Sequence, residues 1–185
     1  APDYHVFSFS NLPRLGLPIL GTILRQKGYD VTILAPAKGQ IEPAELASGD
    51  LVGISITTST APAGYHLADQ VRALAAGMGR TIPVVFGGVH ATFLPEEALA
   101  HGDYVIRREG EASFPALLIA LNQGEPLDRI PGLSYWDGPG VRHNEDGPRV
   151  ADLDSLPAPD LSLIRGFKSP VTPILASRGC PHDCT

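Results

Sequence analysis

The chain has 185 residues, of which 43% are hydrophobic and 18% charged, and a formal net charge of −6. A chain of this size and composition buries an ample core without needing a disulfide or metal to hold it. Its negative balance, with no Lys/Arg run, excludes a nucleic-acid footprint, and its apolar runs are too short to span a bilayer.

The opening residues lack the basic-then-apolar plan of a secretory signal, so the expected setting is cytoplasmic, with no membrane partner. "YHVFSFS" from Tyr4 predicts a first strand, followed by the loop "NLPRLGLP". "PILGTILRQKGYD" sets Ile19, Ile23 and Leu24 on one helical stripe that stops at Gly28. "DVTILA" predicts a second strand and "EPAELAS" a short helix, with Pro43 in its first turn.

"DLVGISITTST" predicts a buried third strand running into a hydroxyl-rich loop, because its apolar run is nearly continuous. "APAGYHLADQVRALAAGM" has the spacing of a long helix. "IPVVFGGVH" predicts a fourth strand opening into two glycines, and "LPEEALAHG" a short helix with Pro95 and acids in its first turn. "DYVIRR" predicts a fifth strand and "GEASFPALLIALNQG" a helix stopped by Gly124. Past Gly124 the texture changes: "PGLSYWDGPGVRHNEDGPRV" predicts a hairpin turning at Asp137 to Gly140, "LDSLPAPDLSL" a proline-rich linker, and "VTPILASRGC" one further strand.

Five strand-helix pairs in some 120 residues imply an α/β fold, because each return to a parallel strand needs a crossover. The simplest arrangement is flavodoxin-like (Rossmann-like): a five-stranded parallel sheet of order 2-1-3-4-5, with a C-terminal hairpin and linker extension. Ligands of such folds sit at the carboxyl ends of the strands. That rule selects the loops Asn11 to Pro18, Thr57 to Ala61, Gly87 to Thr92 and Arg107 to Glu111.

Glycines at the end of a strand let a ligand approach the backbone, or simply make a tight turn. The hydroxyls of Thr57, Thr58, Ser59 and Thr60 suit phosphate or amide groups, or cap the long helix that follows. His90 reads either as a ligand contact or as a solvent-facing loop histidine, and His66 as a surface residue. Glu109 and Glu111 at the start of the last helix are placed to bond free N–H groups. No Gly-x-Gly-x-x-Gly follows the first strand, which disfavours a dinucleotide site.

Together, "GGVHATFLPEEAL", "DYVIRREGEASFPALL", the proline-rich linker and "CPHDC" resemble the N-terminal cobalamin (B12)-binding domain of the B12-dependent radical S-adenosylmethionine (radical SAM) proteins. The resemblance implies a cobalamin-binding domain over residues 1–125, a hairpin and linker over 126–170, and the start of the catalytic barrel over 171–185. It carries cobalamin contacts to Leu15, Gly16 and Leu17; to Ser55, Thr57, Thr58, Ser59 and Thr60; to Gly87, Gly88, Val89 and His90; and to Glu109, Gly110 and Glu111. It implies that Cys180 and Cys184 are the first two ligands of a Cys-x3-Cys-x2-Cys [4Fe-4S] site whose third cysteine falls beyond Thr185. The cluster and S-adenosylmethionine then belong to the intact protein, the partner of this module is the rest of its own polypeptide, and no residue of this chain alone is catalytic.

Three positions depart from the family pattern. Asp3 and His5 are followed by Ser8 where cobalt-ligating relatives carry glycine, so His5 is not assigned as a cobalt ligand. Val89 replaces the proline of "GGPH", and Arg108 replaces the first glycine of "GEGE". The family reading makes the chain a cobalamin module of a methyltransferase or tetrapyrrole-ester cyclase. The alternative is a flavodoxin-like regulatory or interaction module without cofactor. A flavin carrier is disfavoured, since Trp136 is read as part of the linker. Zinc is disfavoured because Cys180, His182 and Cys184 supply too few donors.

Overall fold

The computed structural model describes residues 14–35, 41–147, 149–166 and 172–179. They fall in two compact units, Ala1–Lys38 with Val150–Thr185, and Gly39–Arg149.

In the Gly39–Arg149 unit, three short strands lie side by side in parallel: β1 (Val52–Ser55), β2 (Val84–Gly87) and β3 (Tyr104–Ile106). They are the third, fourth and fifth strands expected from the sequence. Helix α2 (Pro43–Leu46) precedes β1, and α3 (Ala61–Gly77) is the crossover to β2. Two short helices, α4 (Val89–Phe93) and α5 (Pro95–Leu99), lead to β3, and α6 (Ser113–Gln123) follows it. Helix α6 ends at Gly124 in the left-handed region, φ 68°, the conformation glycine adopts without steric cost.

Strand β2 reads Val-Val-Phe-Gly because both its faces are covered. Val84 and Phe86 pack with Ile56, Tyr65, Leu99 and Val105, whereas Val85 packs with Ile106, Leu117, Leu133 and Tyr135. Successive side chains of a strand point to opposite faces, so β2 joins two hydrophobic layers. A third cluster, Ala47, Val52, Val71, Ala75 and Ile82, holds α2 and the second half of α3 to β1.

The predicted hairpin is present with its turn at the predicted place, as β4 (Leu133–Asp137) and β5 (Gly140–His143). Rather than trailing the sheet, it continues it: β4 pairs antiparallel with β3, and β5 with β4. Leu133 and Tyr135 are buried in the layer beneath α6, and burial of those alternate residues draws the hairpin onto the edge of β3. Trp136 therefore lies on a sheet strand, where its Nε1–H donates to the carbonyl of Leu99 at 3.1 Å, and not in the linker.

In the other unit, α1 (Gly16–Gln26) stops just before Gly28, which has φ 90°. Of the predicted second strand, Ile33 alone makes a bridge among the described residues, in parallel with Ile164. Ile33, Leu163 and Ile164 form a small core with Leu17 and Val31. Gly21 is the close-approach point of α1, since a Cβ there would lie 3.0–3.3 Å from Leu163, Ile33 and Val31. Two 3-10 turns, Leu153–Ser155 and Leu161–Leu163, are capped by Asp152 and Asp160. The expected strand at "VTPILASRGC" does not form over residues 172–179: no strand partner reaches it among the described residues, and Pro173 lacks an N–H. The predicted first strand, Tyr4–Ser10, lies outside the described residues.

Candidate functional site

The carboxyl ends of β1, β2 and β3 bring three of the four expected loops to one edge of one sheet. At its centre is Gly88, with φ 92° and ψ 179°, a backbone region open essentially to glycine alone. A Cβ on Gly88 would lie 2.6 Å from the carbonyl oxygen of Ile56 and 3.0 Å from Ser55 Oγ. The glycine thus lets the end of β2 close directly on the end of β1. Two hydrogen bonds seal the contact, Ile56 N–H to the Gly87 carbonyl at 2.9 Å and His90 N–H to the Ile56 carbonyl at 3.3 Å. Gly87 differs: among the described residues a Cβ there would make one ordinary contact, with the Ile106 carbonyl at 3.8 Å, so a side chain would not clash.

The hydroxyls of "TTST" do not cap α3, whose N-cap Thr60 makes no side-chain cap bond. Instead Thr57 Oγ1 lies 3.3 Å from Ser59 Oγ and 3.1 Å from Thr60 Oγ1, and the Thr57 N–H donates to Thr60 Oγ1 at 2.9 Å. Ser55, Thr58, Ser59 and Thr60 are exposed, so this web faces outward.

His90 is neither exposed nor a loop residue. It is 6% exposed, in the first turn of α4, with Nδ1 3.2 Å from Thr58 Oγ1 and Nε2 3.3 Å from Glu97 Oε1. It fastens the hydroxyl loop to α5. Tyr65 packs beside it, with ring centroids 6.2 Å apart, and stacks on His101 at 4.5 Å. Among the described residues the buried Tyr65 hydroxyl has no partner of good hydrogen-bond geometry, and burial, followed by the charge and nearness of Glu97, pushes its pKa up to about 12. His66 is exposed, as expected. The outer face of α4 is apolar and open, with Val89, Phe93 and Leu94 all exposed.

The loop after β3 is held by charge. Arg107 is 11% exposed and donates from Nε and Nη2 to Asp146 Oδ1 at 3.1 and 2.9 Å, and from Nη1 and Nη2 to Ser134 Oγ and the Asn144 carbonyl. Arg108 donates from Nε to Asp146 Oδ2 at 2.5 Å. These two guanidinium groups, the hydrogen bond from Arg108 foremost, hold the Asp146 carboxyl below the usual range. Glu109, Gly110 and Glu111 are half-buried, and the Gly110 carbonyl accepts the Phe114 N–H of α6 at 2.9 Å.

Leu15, Gly16 and Leu17 belong to the other unit: Leu15 is buried, Gly16 exposed at the start of α1, and Leu17 packed on the Ile33–Ile164 core. Cys180 and Cys184 lie outside the described residues, and among the described residues no group of three His, Cys, Asp or Glu could hold a metal. The sequence reading did not single out Glu97, Asp146 or Thr92. Thr92 Oγ1 accepts the Arg108 N–H at 2.9 Å and donates to the Gly88 carbonyl at 3.0 Å, tying the β3 loop to the β2 loop.

An outward hydroxyl web, two glycines at the end of β2 and an exposed apolar helix face thus share one edge of the sheet. Residues 8–118 match the family model of the B12 binding domain. An uncharacterized methyltransferase of Pyrococcus horikoshii is 33% identical over 93% of this chain and 39% of its own length. The anaerobic magnesium-protoporphyrin IX monomethyl ester cyclase of Synechocystis is 30% identical over 94% of this chain and 37% of its own. The chain thus spans about two fifths of the length of these curated relatives. The cobalamin-dependent S-adenosylmethionine radical enzyme OxsB, solved with aqua-cobalamin bound, shares the fold with a TM-score of 0.71, at 20% identity, over 86% of this chain and 23% of its own.

Proposed function

This chain belongs to the B12-binding domain family, and from that premise we propose that it is the cobalamin-holding module of a longer radical SAM enzyme of the methyltransferase or tetrapyrrole-ester cyclase type, working in the cytoplasm. Cobalamin, when bound, supplies a cobalt centre able to carry a methyl group. The chain's own residues bind and orient it. The exposed hydroxyls of Thr58, Ser59 and Thr60 would bond amide groups of the corrin, and Gly87, bare of a side chain, would let it approach the backbone. Ser55, Thr57, Gly88, Val89, Glu109, Gly110 and Glu111 would complete the edge, and His90 holds Thr58 in place.

The observation that carries this reading is the closure at Gly88: the β2 loop touches the β1 loop through a glycine whose conformation and spacing leave no room for a Cβ, while at Gly87 beside it a Cβ would not clash. The relatives are longer, and the rest of the polypeptide is proposed to be the radical SAM barrel. Cys180 and Cys184 are proposed as two of its three cluster ligands, with catalysis residing in the barrel.

A spectrophotometric titration with hydroxocobalamin tests the binding. The corrin bands are expected to shift and saturate at one cobalamin per chain. An unchanged spectrum at excess protein overturns the reading in favour of a module without cofactor.

A further inference from the structure

Among the described residues Arg108 is the one non-glycine residue with positive φ, 59°. A side chain there costs about 1–2 kcal/mol that glycine avoids. The surroundings hold it in that conformation: its N–H is taken by Thr92, which bonds the Gly88 carbonyl, and its Nε is taken by Asp146. The strain therefore sits on the same edge as Gly87 and Gly88. An arginine kept where glycine fits better points to a use for its head group.

The two arginines divide the labour. Arg107 is nearly buried and spends its guanidinium on Asp146, Ser134 and Asn144. Arg108 is 54% exposed, and neither of its Nη groups has a hydrogen-bond partner among the described residues. Asp146 is shared between two cations, so one positive charge of the trio stays uncompensated. Thr92 and Asp146 fix the base and the Nε of the Arg108 side chain, leaving a planar pair of N–H donors at the ligand edge. Two coplanar Nη donors can take a pair of phosphate oxygens end-on.

Resting on the cobalamin reading above, we propose that Arg108 is an anion-recognition residue: it binds the phosphodiester of a nucleotide-bearing corrinoid and makes the module prefer such a corrinoid over one without the nucleotide. Arg107 and Asp146 position it and do not touch the ligand.

The test compares hydroxocobalamin with dicyanocobinamide, which lacks the nucleotide and its phosphate, by titration into the wild-type chain and into Arg108→Gln, Arg108→Lys and Arg108→Gly. Charge-assisted bonds of this kind predict a loss of roughly tenfold or more in cobalamin affinity for Arg108→Gln, with cobinamide affinity unchanged. Arg108→Lys should recover part of that loss. Arg108→Gly suits φ 59°, so it should lose the same affinity while melting no lower than wild type, which separates the effect from misfolding. Added NaCl should weaken cobalamin binding to wild type more than to Arg108→Gln. Equal weakening of both corrinoids in Arg108→Gln, or an unchanged preference, overturns the proposal and leaves the cobalamin reading intact. If the wild-type chain binds neither corrinoid, both fall.

Discussion

The two edges of the sheet are built from different chemistry. At the amino edge, Asp103 just before β3 accepts the N–H of Val84 at 2.7 Å and Arg72 Nη2 at 2.5 Å, and its own N–H returns to the Val84 carbonyl. Arg80 likewise clasps the chain before β1, reaching the carbonyls of Ala47 and Gly49 and the carboxylate of Asp50. At the carboxyl edge between β1 and β2, contact is made by a glycine without a side chain, hydroxyls that bond one another, and a histidine hidden underneath. One edge spends its polar groups on holding the chain, and the other leaves groups turned outward. Ion pairs clasp the amino edge, whereas at the carboxyl edge between β1 and β2 bare backbone and short side chains make the contact, and ion pairs enter only at the loop after β3 and beneath His90.

The contrast is tested most sharply at Gly88. Gly88→Ala puts a Cβ 2.6 Å from a backbone oxygen in a conformation reserved for glycine, so a cost of about 3–5 kcal/mol is expected. Urea unfolding followed by circular dichroism reads that loss, and the same protein should fail to shift the hydroxocobalamin spectrum. Full stability together with full binding would show that the two loops need not touch.

Asp103→Ala is the matching change at the amino edge. It strips the partner from the buried Val84 N–H and from Arg72, and a loss of about 2 kcal/mol is expected. Cobalamin affinity should remain within about twofold of wild type. A tenfold fall in affinity in the folded fraction would end the division of labour between the edges.

Much of this division is legible in the sequence, though unevenly. The parallel strands and their loops follow from periodicity: "VVFGG" and "DLVGISITTST" are too continuously apolar for a one-sided strand, and each breaks into glycine or hydroxyl where a strand must end. Which glycine is indispensable is not legible. Gly87 and Gly88 are neighbours of one type, and only the fold shows that Gly88 is pressed on Ile56 while Gly87 would accept a Cβ at ordinary contact distance. His90 is hidden for a related reason: the loop expected there winds into α4, which turns a loop histidine inward. The Arg107–Asp146 clamp spans 39 residues and exists because the hairpin joins β3, a tertiary event that "HNEDGP" does not advertise. The second strand, reduced to the Ile33 bridge, shows the converse, a clear apolar run that makes one pairing among the described residues.

Tyr65 touches both sides of this contrast, with His90 of the carboxyl edge near one side of its ring and His101, before β3, stacked on another. Among the described residues its buried hydroxyl has no partner of good hydrogen-bond geometry, so Tyr65→Phe should be neutral or stabilising by up to about 1 kcal/mol at pH 7. Alkali should separate the two proteins. The folded state holds the phenol neutral up to about 12, whereas in the unfolded chain it ionises from its ordinary value of 10.0. The raised pKa therefore contributes stability that is whole below pH 10 and is lost as pH climbs from 10 towards 12. Linkage makes that loss about 1.4 kcal/mol by pH 11. Urea midpoints at pH 8, 10 and 11 should show wild type falling more steeply than Tyr65→Phe by that amount, with every other titrating group common to both. Parallel curves would mean that the hydroxyl reaches water after all, and that the layer joining the two edges is looser than its packing implies.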